Sequence, residues 1–332
     1  MNYLSDDQMK DILAATPRNA SDEDCFFSDL RYVPGRISNQ ATNEVVQPQE
    51  SFRRYEEVLS QIKRVDPLRY GTMHKGTPFY FLGWLAYEMK NYEMGVFYMD
   101  AAVSEDIQNV GSGWMNTPAA AFLFLDETNT NAAAYQITVQ TRREVISQLQ
   151  RFSQSSGESF DVTTLVERFF KPNAMNTAYR SIITSILTFL LENSDLRLSL
   201  ELRSKLGGTS EPFLTHLFKG GLIFESLLKR KYGTSGGNVL SAYLKNAKAD
   251  LQLNVQTYKR KDPYQFEELP SLLQEWEKED FQERAVATAY AVRNTAGHDL
   301  AWQDIFTDDL YLKLFNGIVD AILWTIKRAY QL

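Results

Sequence analysis

Three residues near the carboxyl end of the chain combine side chains that can do acid–base chemistry on a charged ligand. Arg293 and Asn294 are adjacent, and His298 follows them in the run AYAVRNTAGHDL. An imidazole with a pKa of about 6.5 exchanges protons at neutral pH. A guanidinium holds anionic oxygens, such as those of a phosphate, through charge-assisted hydrogen bonds. The pattern therefore predicts a site where a bound anion meets a group that can accept or donate a proton.

The position of Arg293 near a helix end would allow His298 to approach it. Arg293 continues the helical spacing of the apolar residues before it, so its guanidinium points towards other helices, where an unpaired charge is costly. We therefore expect an acidic partner. On a continued helix His298 would point about 140° away from Arg293. A helix that ends at Ala296 or Gly297 lets the imidazole turn back.

This motif and its context resemble the HEPN ribonuclease family over roughly residues 207–332. The family signature is an arginine, a polar residue directly after it and a histidine after a short interval, at a helix end in a helical bundle. Arg293, Asn294 and His298 match it. The resemblance implies an endoribonuclease that needs no metal or other cofactor, with these three residues as the catalytic set. It also implies that Glu225, in GGLIFESLLKRKY, is the acid that supports Arg293.

The resemblance further implies a reaction and partners. Single-stranded or structured RNA would be cut by attack of a 2′-hydroxyl on the adjacent phosphate, leaving a 2′,3′-cyclic phosphate and a 5′-hydroxyl. In the family two domains face each other, so we expect a homodimer through this domain. The combination with a helical array looks like prokaryotic antiviral defence, including CRISPR-associated ribonucleases, or toxin–antitoxin systems.

Two alternatives stay open from the residues alone. The arginine motif could merely close a helix end, in which case the chain is a non-catalytic interaction protein that dimerises or holds RNA. A second motif, Gly-x-Ser-x-Gly around Ser235, is typical of hydrolases. It should follow a strand, but the residues before it continue a helix, so we predict a loop there.

Two basic runs lie in the same region and are candidate RNA contacts. Cations neutralise phosphates, and aromatic rings beside them can stack on bases. A solvated helix end or loop is the alternative. The basic residues are Lys229, Arg230 and Lys231 in the first run and Lys259, Arg260 and Lys261 in the second, with Tyr232, Tyr258 and Tyr264 nearby.

Composition bounds the class of protein. The 332 residues are 44% hydrophobic and 23% charged with a net charge of −7, which predicts a folded protein that contacts RNA only through local basic patches. The lone Cys25, the absence of a secretion signal and the lack of a long apolar stretch favour the cytoplasm and no membrane contact. His74 and His216 have no ligands at metal-binding spacing, so packing or surface roles are expected.

The fold class predicted is all-α, because no alternating β pattern occurs. The segment 76–109 resembles a tetratricopeptide repeat, in which Leu82-Gly83 and Tyr92-Glu93 match the two helices and Gly95 and Ala102 are the small contact positions. An ordinary helical hairpin is the alternative. We assign residues 1–155 to a TPR-like recognition and regulatory region that could bind a protein partner.

The rest of the chain is expected to form a HEPN-like domain over 160–332 with its core at 207–332. The Ser-rich run 153–159 is the predicted linker, and residues 1–50 are expected to be a loosely structured lead-in. Apolar periodicity and capping residues predict the helices of the core. These run from about Phe213 to Gly233, Val239 to Leu251, Leu269 to Trp276 and Phe281 to Ala296, with a long last helix capped by Thr307.

Overall fold

The computed structural model confirms the all-α prediction. Apart from helices, its described part contains only a two-residue antiparallel pair, β1 (Ser38–Asn39) and β2 (Glu44–Val45). The structure describes residues 4–28, 38–39, 44–45, 48–202, 209–233, 239–254, 268–296 and 307–332.

The chain divides into two compact units, and the division falls inside two of its helices. Unit 1 comprises Met1–Thr141 and Met175–Thr184, and unit 2 comprises Arg142–Ala174 and Ser185–Leu332. The helices of unit 1 are α1 (Asp6–Ala15), α2 (Ala20–Ser28), α3 (Pro48–Val65), α4 (Pro67–Thr72), α5 (Gly76–Glu88), α6 (Tyr92–Asn109) and α7 (Pro118–Leu123), with a 3-10 turn at Gly111–Asn116.

Two helices contribute to both units, and the remaining ones belong to unit 2. The shared helices are α8 (Tyr135–Ser156) and α11 (Thr177–Leu202). Unit 2 also contains α9 (Val162–Leu165), a π-helical turn (Val166–Phe170), α10 (Lys171–Asn173), α12 (Glu211–Tyr232), α13 (Leu240–Ala247), α14 (Leu269–Trp276), α15 (Phe281–Ala296) and α16 (Asp308–Ala329).

Residues 4–28 are more ordered than predicted, since α1 and α2 lie within them. Ser5 caps α1: its hydroxyl accepts from Gln8 N at 3.2 Å, and its own N–H donates to Gln8 Oε1 at 2.8 Å. Met9 and Leu13, one turn apart, are buried and give α1 an apolar face. The expectation of a loose lead-in is therefore wrong for this part, because tertiary packing stabilises helices whose sequence is largely polar.

The Ser-rich run at 153–159 also differs from the expected linker. Its first four residues are the last residues of α8, and Gly157 then turns the chain with a φ of 73°. The side chain of Ser153 bonds back to the backbone of Phe160. These contacts make the run a helix end and tight turn within unit 2.

The predicted helical hairpin at 76–109 is present as α5 and α6. Small residues let these helices approach closely. A Cβ on Gly83 would lie 2.8 Å from Met99 Cγ, and one on Gly95 would lie 2.9 Å from the ring of Tyr87. Asn91 caps α6 by accepting from Met94 N at 3.4 Å. The hairpin is thus fixed by its glycines and its cap.

The core of unit 2 contains the helices that the sequence predicted best. Helices α14 and α15 have the predicted bounds, and Thr307 caps α16 by accepting from Leu310 N at 3.2 Å. In α16 the residues Phe315, Ile318 and Ile322 are buried, as their spacing predicts. Helices α12, α15 and α16 pack on one another. Of the predicted site residues, α12 carries Glu225 and α15 carries Arg293 and Asn294.

Candidate active site

Arg293 lies in the last turn of α15, on the side of the helix that faces α12. Its neighbours Val292 and Ala291 are fully buried, whereas the Arg293 side chain is 31% exposed. The guanidinium is therefore anchored at the edge of the bundle and still reaches solvent. A charged group in this position can meet a ligand without being withdrawn completely from water.

The acid that the sequence analysis expected beside Arg293 is present. Arg293 Nε donates to Glu225 Oε2 at 2.7 Å, and the carboxylate comes from the middle of α12. Arg293 Nη1 also donates to Asn294 Oδ1 at 3.2 Å. In the described part of the chain Nη2 has no hydrogen bond. The ion pair and the amide thus orient the guanidinium and leave one of its nitrogens available to an anionic ligand.

A pair of glycines explains why α12 comes so close to Arg293. A Cβ on Gly221 would lie 2.8 Å from Arg293 Cβ and 3.1 Å from Arg293 Cα. On the neighbouring Gly220, a Cβ would lie 2.5 Å from Phe189 Cζ and 2.7 Å from Ile318 Cγ2. Gly221 therefore sets the distance between α12 and α15, and Gly220 sets the packing of α12 on the core.

We expect Gly221→Ala to disturb the site specifically. The added methyl must push Arg293 away from α12, which we expect to cost about 1–3 kcal/mol of folding free energy and to weaken the Arg293–Glu225 pair. Gly220→Ala is the matched control, because it overpacks the same helix without touching Arg293. Denaturant unfolding should show similar losses for both variants. If the protein cleaves RNA, as the family resemblance implies, cleavage should fall further in Gly221→Ala. Equal cleavage in both variants would contradict the assigned role of Gly221.

The first basic run lies at the exposed end of α12. Lys229 is one turn after Glu225, so both side chains emerge from the same face of the helix. Lys231 Nζ lies 5.5 Å from the ring centre of Tyr330. The hydroxyl of Tyr232 donates to Asp250 Oδ2 at 2.6 Å, and burial together with this carboxylate raises the pKa of Tyr232. The Tyr232 hydroxyl is therefore already hydrogen-bonded to another residue of unit 2.

Several predicted site residues lie outside the described residues, so the structure says nothing about them. They are His298 with the adjacent Gly297, Ser235 of the hydrolase-like motif, and Lys259, Arg260 and Lys261 with Tyr258 and Tyr264. The described part of the predicted site is the set formed by Arg293, Asn294 and Glu225, with the basic run beginning at Lys229.

His216 is a buried core residue, in agreement with one of its two expected roles. It lies on Phe189 at 4.3 Å between ring centres and shares a hydrogen bond between Nε2 and Phe189 O at 2.9 Å. The Tyr311 hydroxyl lies 2.9 Å from its Nδ1. Burial lowers the pKa of His216 to about 3. The ring is therefore neutral, donating from Nε2 and accepting at Nδ1, and has a structural role.

His74 has carboxylate neighbours that its sequence surroundings did not reveal. Its Nε2 lies 2.9 Å from Asp106 Oδ1, and its Nδ1 lies 3.1 Å from Asp24 Oδ1. Burial alone lowers the pKa of an imidazole, but the hydrogen bonds to Asp106 and Asp24 outweigh it and raise the pKa of His74 to about 10. The imidazolium is 2% exposed and joins α2, α6 and the start of α5 inside unit 1.

Two features are absent from the described residues, a cluster of metal ligands and a membrane-spanning helix. Nowhere in those ranges do three or more histidine, cysteine, aspartate or glutamate side chains gather as metal ligands would. Among the same residues, no helix combines the length and the apolar composition needed to cross a membrane.

The chain was compared with protein-family models, curated proteins and solved structures, and none of them matches it.

Proposed function

We propose that this protein is a metal-independent endoribonuclease of the HEPN type, with Arg293, Asn294 and His298 as its catalytic residues. The observation that carries the proposal is the geometry at the end of α15. There Glu225 and Asn294 orient a partly exposed guanidinium three residues before the helix ends at Ala296. The resemblance to the HEPN family assigns the imidazole of His298 to the same site. In the proposal the guanidinium binds the phosphodiester and the imidazole transfers protons to and from it.

The proposed reaction transfers a phosphodiester within the RNA. The 2′-oxygen forms a bond to phosphorus, the bond from phosphorus to the 5′-oxygen breaks, and the products are a 2′,3′-cyclic phosphate and a 5′-hydroxyl. The 2′-hydroxyl proton goes to a neutral imidazole, and the leaving 5′-oxygen receives a proton. Arg293 Nη2 would bind the non-bridging oxygens while charge grows on them. No water is consumed in this step.

Glu225 has a positioning role in this proposal. The Glu225 carboxylate accepts a hydrogen bond from Arg293 Nε, so the edge of the guanidinium that carries the Nη atoms would face the substrate. Lys229, one turn further along α12, would neutralise a neighbouring phosphate, and Arg230 and Lys231 extend the positive charge at the helix end. The RNA backbone would therefore run along α12 beyond the ion pair.

The biological setting is also part of the proposal. Two copies would join through the HEPN-like domain and bring two motifs into one cleft, and the TPR-like helices would recognise a regulatory protein or the target. Action in the cytoplasm, in a prokaryotic antiviral or toxin–antitoxin system, fits this combination. The competing proposal is a non-catalytic module that uses the same surfaces to dimerise and to hold RNA.

The chemistry can be tested on the purified full-length protein with single-stranded RNA in EDTA. We expect cleavage to continue in EDTA and to leave cyclic phosphate and 5′-hydroxyl ends. A 2′-deoxy substitution at the cleaved nucleotide should abolish the cut there, because the attacking hydroxyl is missing. Cleavage that needs a divalent metal or leaves 5′-phosphates would overturn the proposal, and RNA binding without cleavage would favour the non-catalytic module.

Arg293→Gln should lower the cleavage rate by about 10²–10³, as expected when one donor to a developing oxyanion is removed. Arg328→Gln is the matched control. Arg328 is also in unit 2, is 27% exposed and pairs with Glu158 at 2.5 Å, so its loss removes the same charge and the same kind of ion pair. Similar cleavage rates in the two variants would show that Arg293 is not a catalytic residue.

A further inference from the structure

Unit 1 contains a cavity of about 540 Å³ that lies in neither of the sites discussed so far. Its walls come from the last turns of α1, the turn that follows it, the end of α3 and the start of α4. Pockets that bind small organic molecules typically have volumes of about 300–1,000 Å³. The cavity is therefore large enough for a small organic ligand.

The walls of the cavity are held in place by Arg69. Its Nη2 donates to the carbonyl oxygens of Thr16 at 3.2 Å and Pro17 at 3.0 Å, and it pairs with Glu23 at 2.8 Å. The backbone N–H of Arg69 donates to Asp66 Oδ1 at 2.9 Å. One arginine thus links α4 to the turn after α1, so the cavity is formed before any ligand enters.

The polar lining of the cavity favours an anion. Lys10 and Arg18 contribute two cations, whereas the charge of Arg69 is matched by Glu23. Asp66, the one carboxylate in the lining, caps α4 by accepting the backbone N–H of Arg69. Among the described residues Arg18 has no ion pair, and Lys10 has only a distant exposed one, 3.7 Å from Asp7. The positive charge of Lys10 and Arg18 is therefore available to a ligand.

Arg69 belongs to the structure of the wall and does not supply free charge to the cavity. Arg69 is 3% exposed, and its Nε is buried without a hydrogen-bond acceptor in the described part of the chain. Buried donors are rarely left without a partner, and their desolvation is costly when they are. Because Nε has no surface open to the cavity and Nη2 is bonded to Thr16, Pro17 and Glu23, a ligand would meet the charges of Lys10 and Arg18.

Apart from Thr16, the rest of the lining is apolar. Leu13, Ala14, Pro17 and Val65 form this part of the wall. A ligand that fills the cavity therefore needs an apolar or aromatic body as well as a charged group. From this combination we propose that unit 1 binds a small organic phosphomonoester, with its phosphate at Arg18 and Lys10 and its body against the apolar wall.

The proposal can be tested by calorimetric titration of the full-length protein with phenyl phosphate, inorganic phosphate and phenol. We expect phenyl phosphate to bind more tightly than either fragment, because only it uses both halves of the lining. Arg18→Gln and Lys10→Gln should each weaken its binding by about tenfold or more, the usual loss for a charged hydrogen bond. Both residues are exposed, so these variants should keep the wild-type melting temperature.

Two controls separate this cavity from other phosphate contacts. Lys63→Gln removes the same charge from an exposed position on α3 outside the lining and should leave the affinity unchanged. Arg293→Gln should also leave it unchanged, which excludes binding at the proposed nuclease site. No measurable binding of phenyl phosphate at millimolar concentration would overturn the proposal. So would equal weakening by Lys63→Gln, or loss of binding in Arg293→Gln.

Discussion

Replacing His298 by alanine is expected to lower the rate of RNA cleavage by about 10²–10⁴ while leaving the fold intact. The proposed role of its imidazole is proton transfer at the 2′- and 5′-oxygens, and positioned acid–base groups contribute factors of this size. RNA affinity should change much less, because the proposed contacts to the phosphates are the basic residues of α12. The measurement is single-turnover cleavage in EDTA, with RNA binding followed in parallel.

The controls for this prediction address stability and charge. Lys278→Ala, at an exposed position after α14, should keep wild-type cleavage. The melting temperature of His298→Ala should match that of the wild type, so that a loss of rate cannot be traced to unfolding. Cleavage that survives the substitution would eliminate His298 as the proton-transfer group and return the motif to a helix-closing role.

A second large effect is expected in unit 1, where His74→Gln should destabilise the fold by about 3–5 kcal/mol. The substitution removes the imidazolium and leaves Asp106, which is 4% exposed, without its cationic partner. A buried carboxylate that loses its partner is costly, since it must remain charged in a poorly solvated place or take up a proton. Denaturant unfolding of the two proteins at pH 6 measures this difference.

The pH dependence of this effect has a definite sign. The pKa of His74 is about 10 in the folded protein, whereas an unperturbed imidazole has a pKa of about 6.5, so between these pH values the folded protein binds a proton that the unfolded chain releases. The stabilisation by His74 is therefore complete below pH 6.5 and is lost as the pH rises towards 10. We expect the difference in unfolding free energy between wild type and His74→Gln to shrink across that range.

An exposed ion pair of the same unit serves as the control for His74. Arg64 pairs with Asp6 at 2.6 Å, but both side chains are well exposed. Arg64→Gln should therefore leave the free energy of unfolding nearly unchanged, with little dependence on pH over the same interval. If His74→Gln were as mild as Arg64→Gln, the buried pair would not contribute to the stability of unit 1.

Much of unit 2 could be predicted from local sequence. The bounds of α14 and α15 and the Thr307 cap of α16 follow from apolar periodicity and from capping residues within a few positions of each helix end. Helix α1 could not be predicted in the same way. Its Ser5–Gln8 capping box is local, but its burial through Met9 and Leu13 depends on packing against α3, more than thirty residues further along the chain.

In the described part of the candidate site, too, some features could be predicted from the sequence and others depended on helix packing. The residue types and the helix end placed Arg293 at the edge of the bundle, and the family resemblance selected Glu225 as its partner. The 2.7 Å contact and the close approach at Gly221 became visible only when α12 and α15 were packed together. The motif alone also gave no information on which guanidinium nitrogens would be occupied.

The amino-acid sequence determined the helical class of this protein, the ends of its best-defined helices and the side chains from which a phosphodiester site can be built. Tertiary structure alone brought His74 to Asp106, 32 residues away, and formed the cavity around Arg69. The physical reason is the separation along the chain over which each interaction acts. Periodicity and capping act over a few residues, whereas charge pairing and burial act between segments that meet only after the chain has folded.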